Sequence, residues 1–399
     1  MKRLQTGDQS LVKQINKSIV FHTVKNKGPI SRAQISKETG LNKATVSTMV
    51  SELIKESFIQ EIGAGKSSGG RKPVLLYFHQ NAGYAIGIDL GVNYILGVLT
   101  DLSGNVIYEM TEKLKETTFK YVTNQIFTMI ESLIQNAPES PYGIVGIGIG
   151  VPGQVDNEQR IQLAPNLKWY NVDLKQVIEE RYSIPVRIEN EANAGAHAEH
   201  LYGAGKNIAN QIYISIGMGI GTGIIVHNQL YKGTLGFSGE MGHFTIEANG
   251  RKCSCGNRGC WELYASESAL LLAAEQNQIL NANQEADLDI LLEEAKNSNP
   301  QVLQLLNTLG ENIGVGIVNI INTFNPEAII IGNRITRFKN WLTNPIERII
   351  DERLANYFKE STEIRFSALN YRSTALGATS IAIEHFLSEI GLAGHSAQF

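Results

Sequence analysis

A three-strand pattern that occurs twice limits this chain more than any other feature. Tyr84–Asp89, Tyr94–Asp101 and Asn105–Lys113 are separated by Leu90-Gly91-Val92-Asn93 and by a Ser103-Gly104 turn. Apolar runs bounded by such turn residues read as strands. About 125 residues later the same order returns as Gln211–Gly217, Gly221–His227 and Gln229–Gly233. Helical periodicity fills the intervals at Val122–Gln135, Leu174–Tyr182, Ala192–Tyr202, Ser266–Asn277, Gln301–Phe324 and Ala375–Leu387, while Gly143–Gly150 and Ala328–Gly332 are buried apolar runs. Strands alternating with helices predict two related α/β lobes facing across a cleft. The first lobe is expected to take residues 81–190 plus the C-terminal helix within 375–399, and the second residues 191–374.

The charge is divided unevenly. Residues 1–80 carry 13 Lys and Arg against 5 Asp and Glu, whereas the remaining 319 residues carry 22 against 34. A basic block on an acidic body implies a nucleic-acid module attached to something else. With 399 residues and 43% hydrophobic content, the chain is long enough for sizeable cores. It has neither an apolar run of the roughly 18 residues that spans a bilayer nor a signal-peptide pattern, so a cytoplasmic location is expected.

Within the basic block, Leu11, Ile15, Ile19, Val20 and Val24 recur at helical spacing, and Lys27-Gly28-Pro29 ends that helix. Ser31 and Gln34 form a capping box for a short second helix stopped at Gly40. Leu41-Asn42 opens a third, with Val46, Val50 and Leu53 inward and Lys43, Ala44, Ser47 and Thr48 outward. Two short helices about a glycine turn are the helix-turn-helix layout, whose second helix enters the major groove of double-stranded DNA. Phe58–Ile62 and Val74–Phe78 then pair as a wing whose tip carries Lys66, Arg71 and Lys72, suited to phosphates. The expected DNA contacts are Ser31, Arg32, Asn42, Lys43, Ala44, Thr45, Ser47, Thr48, Lys66, Arg71 and Lys72. A protein-interaction module with a solvated basic face is the plainer alternative. The domain is assigned to residues 1–80, with the body at 81–399.

All three cysteines, Cys253, Cys255 and Cys260, fall within eight positions, ten residues after His243. Three thiolates and an imidazole make a four-ligand set that closes a tetrahedral structural zinc site. Glycines at 256 and 259 allow the tight turns needed. The bland reading is a redox pair plus a spare thiol, which the cytoplasmic setting disfavours. One zinc per chain is expected, with no exchangeable ligand.

Several motifs of the body resemble the ROK family, which joins bacterial sugar kinases with sugar-responsive repressors on an actin/hexokinase-like fold. They are Val151-Pro152-Gly153, Ala164-Pro165-Asn166-Leu167, Glu189-Asn190-Glu191-Ala192-Asn193-Ala194, Gly239-Glu240-Met241-Gly242-His243 and Cys253–Glu262. The 31–47 segment resembles the DNA-binding segment of many bacterial repressors, and the runs at Asn190–Asn193, Phe237–His243 and Cys255–Ala265 are most similar to xylose-responsive repressors of Gram-positive bacteria. The resemblance implies a winged helix-turn-helix followed by a two-lobed ROK body, and places Asn190, Glu191, Glu240, His243 and Glu262 against sugar hydroxyls. Carboxylates accept from such hydroxyls while amides and imidazole both donate and accept. Plainer roles are solvated carboxylates at Glu240 and Glu262 and a helix cap at Asn190.

The resemblance leaves two activities to weigh. Family kinases carry Asp-x-Gly-Gly-Thr-Lys in the first phosphate loop and an Asp after Asn as general base. Here the loop reads Asp89-Leu90-Gly91-Val92-Asn93-Tyr94, the base position is Glu191, and Gly332-Asn333-Arg334 replaces a glycine pair. The expectation is therefore a sugar-responsive repressor of xylose-utilisation genes, not an enzyme, acting as a homodimer or dimer of dimers on a palindromic operator. The inducer is expected to be a small aldose, D-xylose first, with glucose or an acetylated amino sugar open. The alternative is an ATP-dependent sugar kinase with an attached DNA-binding domain, and the sign of regulation, repressor or activator, is also open. The winged helix and the sugar cleft are expected to be separate modules.

Overall fold

The computed structural model describes residues 9–64, 73–279, 287–359 and 361–393. Its N-terminal unit contains α1 (Gln9–Lys27), β1 (Ile30–Ser31), α2 (Arg32–Thr39), α3 (Lys43–Lys55), β2 (Ile59–Ala64) and β3 (Val74–Phe78). The sequence sets these limits locally. The Ser31 hydroxyl accepts from Gln34 N while the Gln34 side chain accepts from Ser31 N, which opens α2. Gly40 ends α2 at φ +73°, and the Asn42 side chain caps α3 through Thr45 N. The strands pair in the order β1-β3-β2 beneath the helices.

The body begins with β4 (Tyr84–Leu90), β5 (Tyr94–Asp101), β6 (Val106–Lys113), α4 (Phe119–Gln135) and β7 (Ile144–Val151). A small hairpin sheet follows, β8 (Gln154–Val155), β9 (Ile161–Ala164) and β10 (Trp169–Val172), then α5 (Leu174–Tyr182), β11 (Val186–Asn190) and α6 (Glu191–Tyr202). The second half contains β12 (Gln211–Ile216), β13 (Ile220–Val226), β14 (Gln229–Leu230), α7 (Glu262–Ala265), α8 (Glu267–Gln276), α9 (Leu288–Lys296) and α10 (Pro300–Phe324). It is completed by β15 (Ala328–Gly332), α11 (Lys339–Arg353), α12 (Asn356–Lys359), β16 (Glu363–Phe366) and α13 (Ser373–Glu389). No helix of the described residues is long and apolar enough to cross a membrane.

The two large sheets have one topology. The first runs β6-β5-β4-β7-β11 and the second β14-β13-β12-β15-β16. In each, an antiparallel three-strand meander is followed by two strands added in parallel on the far side of the first. The duplicated pattern of the sequence is thus a duplicated sheet. The strand expected at Gln229–Gly233 is cut to two residues, because the chain turns away at Tyr231 into the loop that carries Glu240.

Helices α6 and α13 cross between the sheets at backbone contact. A Cβ on Gly377 of α13 would lie 1.8 Å from Ala194 O of α6, and one on Gly148 of β7 would lie 1.9 Å from Ala378 O. Only glycine permits that approach. Separate apolar clusters fill the two lobes, around Ile86, Ile130 and Ile149 in the first and Trp261, Ile317 and Phe338 in the second.

The third cluster departs from the expectation of separate modules. Val20, Phe21, Val50, Leu53 and Phe58 of the winged unit share one continuous core with Val145, Ile383, Leu387 and Leu392 of the body. Tyr142 stacks on Phe58 at 4.9 Å and meets Phe386 edge-on at 5.3 Å. Its hydroxyl donates to Glu56 O, and Ser18 donates to Ala393 O. Apolar residues facing one another across a seam are buried together whatever the domain boundary, so the unit is fused to the body.

Candidate functional site

The outer face of α3 is formed as the pattern requires. Val46, Met49, Val50 and Leu53 are buried, while Asn42, Lys43, Ala44, Ser47 and Thr48 are exposed and Thr45 is half-buried. Arg32 pairs with Glu61 at 3.0 Å at the base of the wing. Ser31 differs from the expectation: it is 5% exposed and its hydroxyl is engaged with Gln34, so it supports the helix start instead of facing a groove. Lys66, Arg71 and Lys72 lie outside the described residues.

The cysteine segment folds into a knuckle on the second lobe. Cys253 N donates to Asn257 O, and Thr245 bridges Cys260. Gly256 and Gly259 take φ +94° and +69°, and a Cβ on Gly259 would strike Glu247 O. Trp261 anchors the knuckle: it is fully buried, its indole donates to Asn312 O, and its ring occupies the space above Gly316 of α10. The candidate ligand atoms of His243, Cys253, Cys255 and Cys260 all lie within 4.8 Å of one another. His243 Nδ1 to Cys253 Sγ and Cys255 Sγ to Cys260 Sγ are each 3.7 Å. Thiolates bound at about 2.3 Å around a tetrahedral ion lie roughly 3.7 Å apart, whereas a disulfide requires about 2.0 Å. The spacing therefore fits a metal ion and excludes a disulfide.

The knuckle forms one wall of a cavity of about 450 Å³ between the lobes. Asn190, Glu191, Glu240, His243 and Glu262 all line it, joined by Asp89, Gln154, Asn166 and Arg334. His243 links the two features: Nδ1 faces the thiols, while Nε2 lies 3.9 Å from Glu240. Glu262 Oε1 is 3.2 Å from Cys253 Sγ and 3.4 Å from His243 Nδ1, so its carboxylate is placed by the knuckle.

Asn190 has a double role. Its Oδ1 accepts from Ala192 N and Asn193 N, capping α6, and its Nδ2 donates to Gly153 O and to Glu191 Oε2 at 2.9 Å. Both lone-pair positions and both amide hydrogens are engaged. Asn190 thereby orients Glu191, whose carboxyl burial pushes up to about 8, with Asp89 and Glu240 adding repulsion. Asp89 is 3% exposed, and burial raises it to about 7 against a 2.7 Å hydrogen bond from Tyr94. Asp89 was not among the expected sugar contacts. Its motif pointed to phosphate, and only the tertiary arrangement sets it beside Glu191.

Tyr94 shows what became of the first phosphate loop. A Cβ on Gly91 would lie 2.3 Å from the Tyr94 ring, which therefore covers the turn where backbone amides would cradle an anion. The Arg334 guanidinium sits 5.9 Å over that ring and 3.4 Å from Glu267. Asn333, at φ +70°, donates to Ser215 across the second loop. Glycines stand at alternate positions from 217 to 223 and have two uses. Gly217 and Gly219 form the β12–β13 turn, while Gly221 and Gly223 let β13 pack against Ala192 and Ala196 of α6.

Known proteins share this arrangement. Residues 85–385 match the ROK family. A xylose repressor of Bacillus subtilis (strain 168) is 46% identical, over 97% of this chain and 100% of its own. The crystal structure of a ROK family transcriptional regulator, a homolog of the E. coli MLC protein, superposes with a TM-score of 0.79. It is 28% identical, and the match covers 96% of this chain and 99% of that one. A ROK family glucokinase from Streptomyces griseus, solved with glucose and AMPPNP, is 26% identical with a TM-score of 0.70 and covers 75% of this chain and 99% of its own. The glucokinase match leaves about a quarter of this chain uncovered, whereas the regulator match extends over nearly all of it. The chain belongs to the ROK family.

Proposed function

We propose that this protein is a sugar-responsive transcriptional repressor of xylose-utilisation genes whose inducer is D-xylose. The repressor reading rests on full-length similarity to named xylose repressors, and the observation that carries its mechanism is the path of α13. At its N-terminal end Thr374 donates to Glu191 O, beside the cavity. At its C-terminal end Phe386, Leu387 and Leu392 enter the core of the winged unit. A sugar that draws Glu191 and the second lobe together thus acts on a helix that is part of the DNA-binding fold. A ligand changes DNA affinity only by preferring one arrangement over another, and this helix is the element both sites bias.

The xylose hydroxyls would be held by Glu191, Glu240, His243 and Glu262, with Asp89 added and Asn190 acting through Glu191. A buried site made for hydroxyls rejects ligands that lack them, because its own polar groups go unpaired. Zinc held by His243, Cys253, Cys255 and Cys260 would fix the knuckle and the His243 tautomer, leaving Nε2 for a hydroxyl. The operator is a palindrome read by a homodimer or dimer of dimers in the cytoplasm, with α3 in the major groove and Lys66, Arg71 and Lys72 near phosphates.

A non-enzymatic role is supported by Tyr94 over the phosphate loop and by Glu191, one methylene longer than the aspartate base of the kinases. The test is fluorescence anisotropy of labelled operator with the full chain. D-xylose should weaken binding about 5- to 150-fold, and operator should weaken xylose binding by the same factor. An unchanged xylose affinity at saturating operator would remove xylose as inducer. ADP release on incubation with ATP and xylose would restore the kinase reading.

A further inference from the structure

We propose that Lys232 and Glu189 are positioning residues of the sugar cavity: their ion pair ties a strap of the second lobe, residues 231–239, to the first lobe and sets how tightly sugar is held. The strap leaves the second sheet after β14, where Tyr231 N donates to Ile224 O. It returns at Gly239, whose carbonyl accepts from both the amide and the hydroxyl of Thr222 on β13. Between these ends Gly236, Phe237 and Ser238 line the cavity, and Glu240 follows directly. One wall of the sugar site is thus carried on the strap.

Across the cleft the strap is fastened to the first lobe twice. Lys232 Nζ lies 2.6 Å from Glu189 Oε2 near the end of β11, and Asn157 Nδ2 in the β8–β9 turn donates to Thr234 O at 3.0 Å. Gly236, at φ +91°, lets the strap close on that hairpin, since a Cβ there would lie 2.7 Å from Val155 O.

The ion pair is sheltered from water. The Glu189 side chain is 7% exposed and that of Lys232 is 33% exposed. Pairs in open solvent contribute little, whereas a buried carboxylate deprived of its cation is left uncompensated. Glu189 also serves the site with its other oxygen. Oε1 accepts from Asn190 N at 3.1 Å and from Asn193 Nδ2 at 3.2 Å, at the start of α6. One carboxylate therefore holds the strap through Oε2 and, through Oε1, the turn that presents Asn190 and Glu191. A sugar that meets both Glu191 and Glu240 meets groups whose separation this pair has already fixed. Such preorganisation raises affinity by sparing the ordering that binding would otherwise require. The inference rests on the reading of the cavity as a sugar site.

The test uses the full chain and the variants Lys232→Met, Glu189→Gln and the two combined. Glutamine keeps an acceptor for Asn190 N and Asn193 Nδ2 and loses the charge. In calorimetric titration, D-xylose should bind about tenfold more weakly to each single variant and no more weakly to the double variant, the mark of one shared interaction. Lys232→Arg should recover most of the affinity lost in Lys232→Met. Amide hydrogen exchange without sugar should rise at residues 231–239 in both single variants while β12 and β13 stay protected. Xylose affinities equal to that of the unmodified chain overturn the proposal, whatever the melting temperatures do. Losses that multiply in the double variant overturn it as well, because they mark two unrelated effects. If the unmodified chain does not bind xylose, the inducer reading fails, and the exchange arm still decides whether the pair holds the strap: unchanged exchange in both single variants means that it does not.

Discussion

The two lobes are built on one strand order and have been put to different uses. In the first, the β4–β5 turn that would receive phosphate is covered by its own Tyr94. In the second, the equivalent β12–β13 turn is bordered by side chains from other segments instead: a Cβ on Gly219 would lie 2.9 Å from Glu262 of the knuckle, and one on Gly217 would lie 3.1 Å from Asn333. The first lobe packs as an ordinary hydrophobic core, while the second adds a four-ligand cluster on its rim. The lesson is that a duplicated scaffold can exchange one chemistry for another by filling one turn and stapling a loop beside the other.

If that difference holds, the largest effect should come from the knuckle. Removing the proposed zinc by chelation, or Cys260→Ser, should unfold the segment around Trp261, which is fully buried. Structural zinc supplies folding free energy, and losing the Trp261 packing alone costs about 3–5 kcal/mol. Hydrogen exchange should rise at residues 243–265 and remain low in β4–β7. Equal protection in both lobes after complete metal removal would erase the contrast.

The lobes meet at glycine contacts, and a side chain there should be next in severity. Gly377→Ala places a methyl on Ala194 O and should lower stability by about 1–3 kcal/mol in denaturant melts. Because α13 also enters the winged core, operator binding should lose its sugar response in the same variant. A mutant with full inducibility would dissociate α13 from switching.

The carboxyls contributed by each lobe should titrate with sugar binding. Asp89 and Glu191 are raised to about 7 and about 8 by burial. A carboxyl whose folded value lies above its unfolded value of roughly 4 gives stability that is complete at acid pH and lost as pH rises through 7 to 8. These two groups should therefore lower the melting temperature without sugar progressively between about pH 4 and pH 8. Sugar hydroxyls donating to these carboxylates favour the charged form, so xylose should bind more tightly as pH rises and release protons. Calorimetry in buffers of different ionisation enthalpy reads that release directly. Proton uptake on binding would mean the carboxyls are not the acceptors.

The smallest effect expected is that of Tyr94→Phe, which keeps the ring over Gly91 and removes one hydrogen bond to Asp89. A loss of about 1 kcal/mol in stability and no ATPase activity are expected. Tyr94→Gly opens the turn, and any gain of nucleotide binding in it, measured by calorimetry, would show the tyrosine to be the only barrier.

What the sequence disclosed depended on how local the cause was. The Ser31–Gln34 box, the Gly40 stop, the Asn42 cap and the cysteine knuckle each act within fewer than twenty residues, and the structure reproduces them. The strand repeat was legible because both copies keep their turns. Helix α11 was hidden by Pro345, which reads as a breaker but here sits inside the helix against Gly310 of α10. The hairpin sheet β8–β10 was missed because its strands span only two to four residues each. In the site, Asp89 meets Glu191 from about a hundred positions away, and Glu267 meets Arg334 across several intervening elements. The engagement of Phe58 by Tyr142 and Phe386 likewise joins segments far apart in the chain. No periodicity encodes such a meeting.

The shared core at the N-terminal seam carries a consequence for how the protein is made. Synthesis delivers Ile383, Leu387 and Leu392 more than 300 residues after α1 to α3, yet all belong to one apolar cluster. The DNA-reading unit cannot finish packing until α13 has left the ribosome. A nascent or prematurely terminated chain would expose Phe21 and Phe58 and be a poor operator ligand and a ready substrate for proteases. The reading head is thus completed only in molecules that already contain the sensor, and no partly made product can silence its genes beyond the reach of sugar.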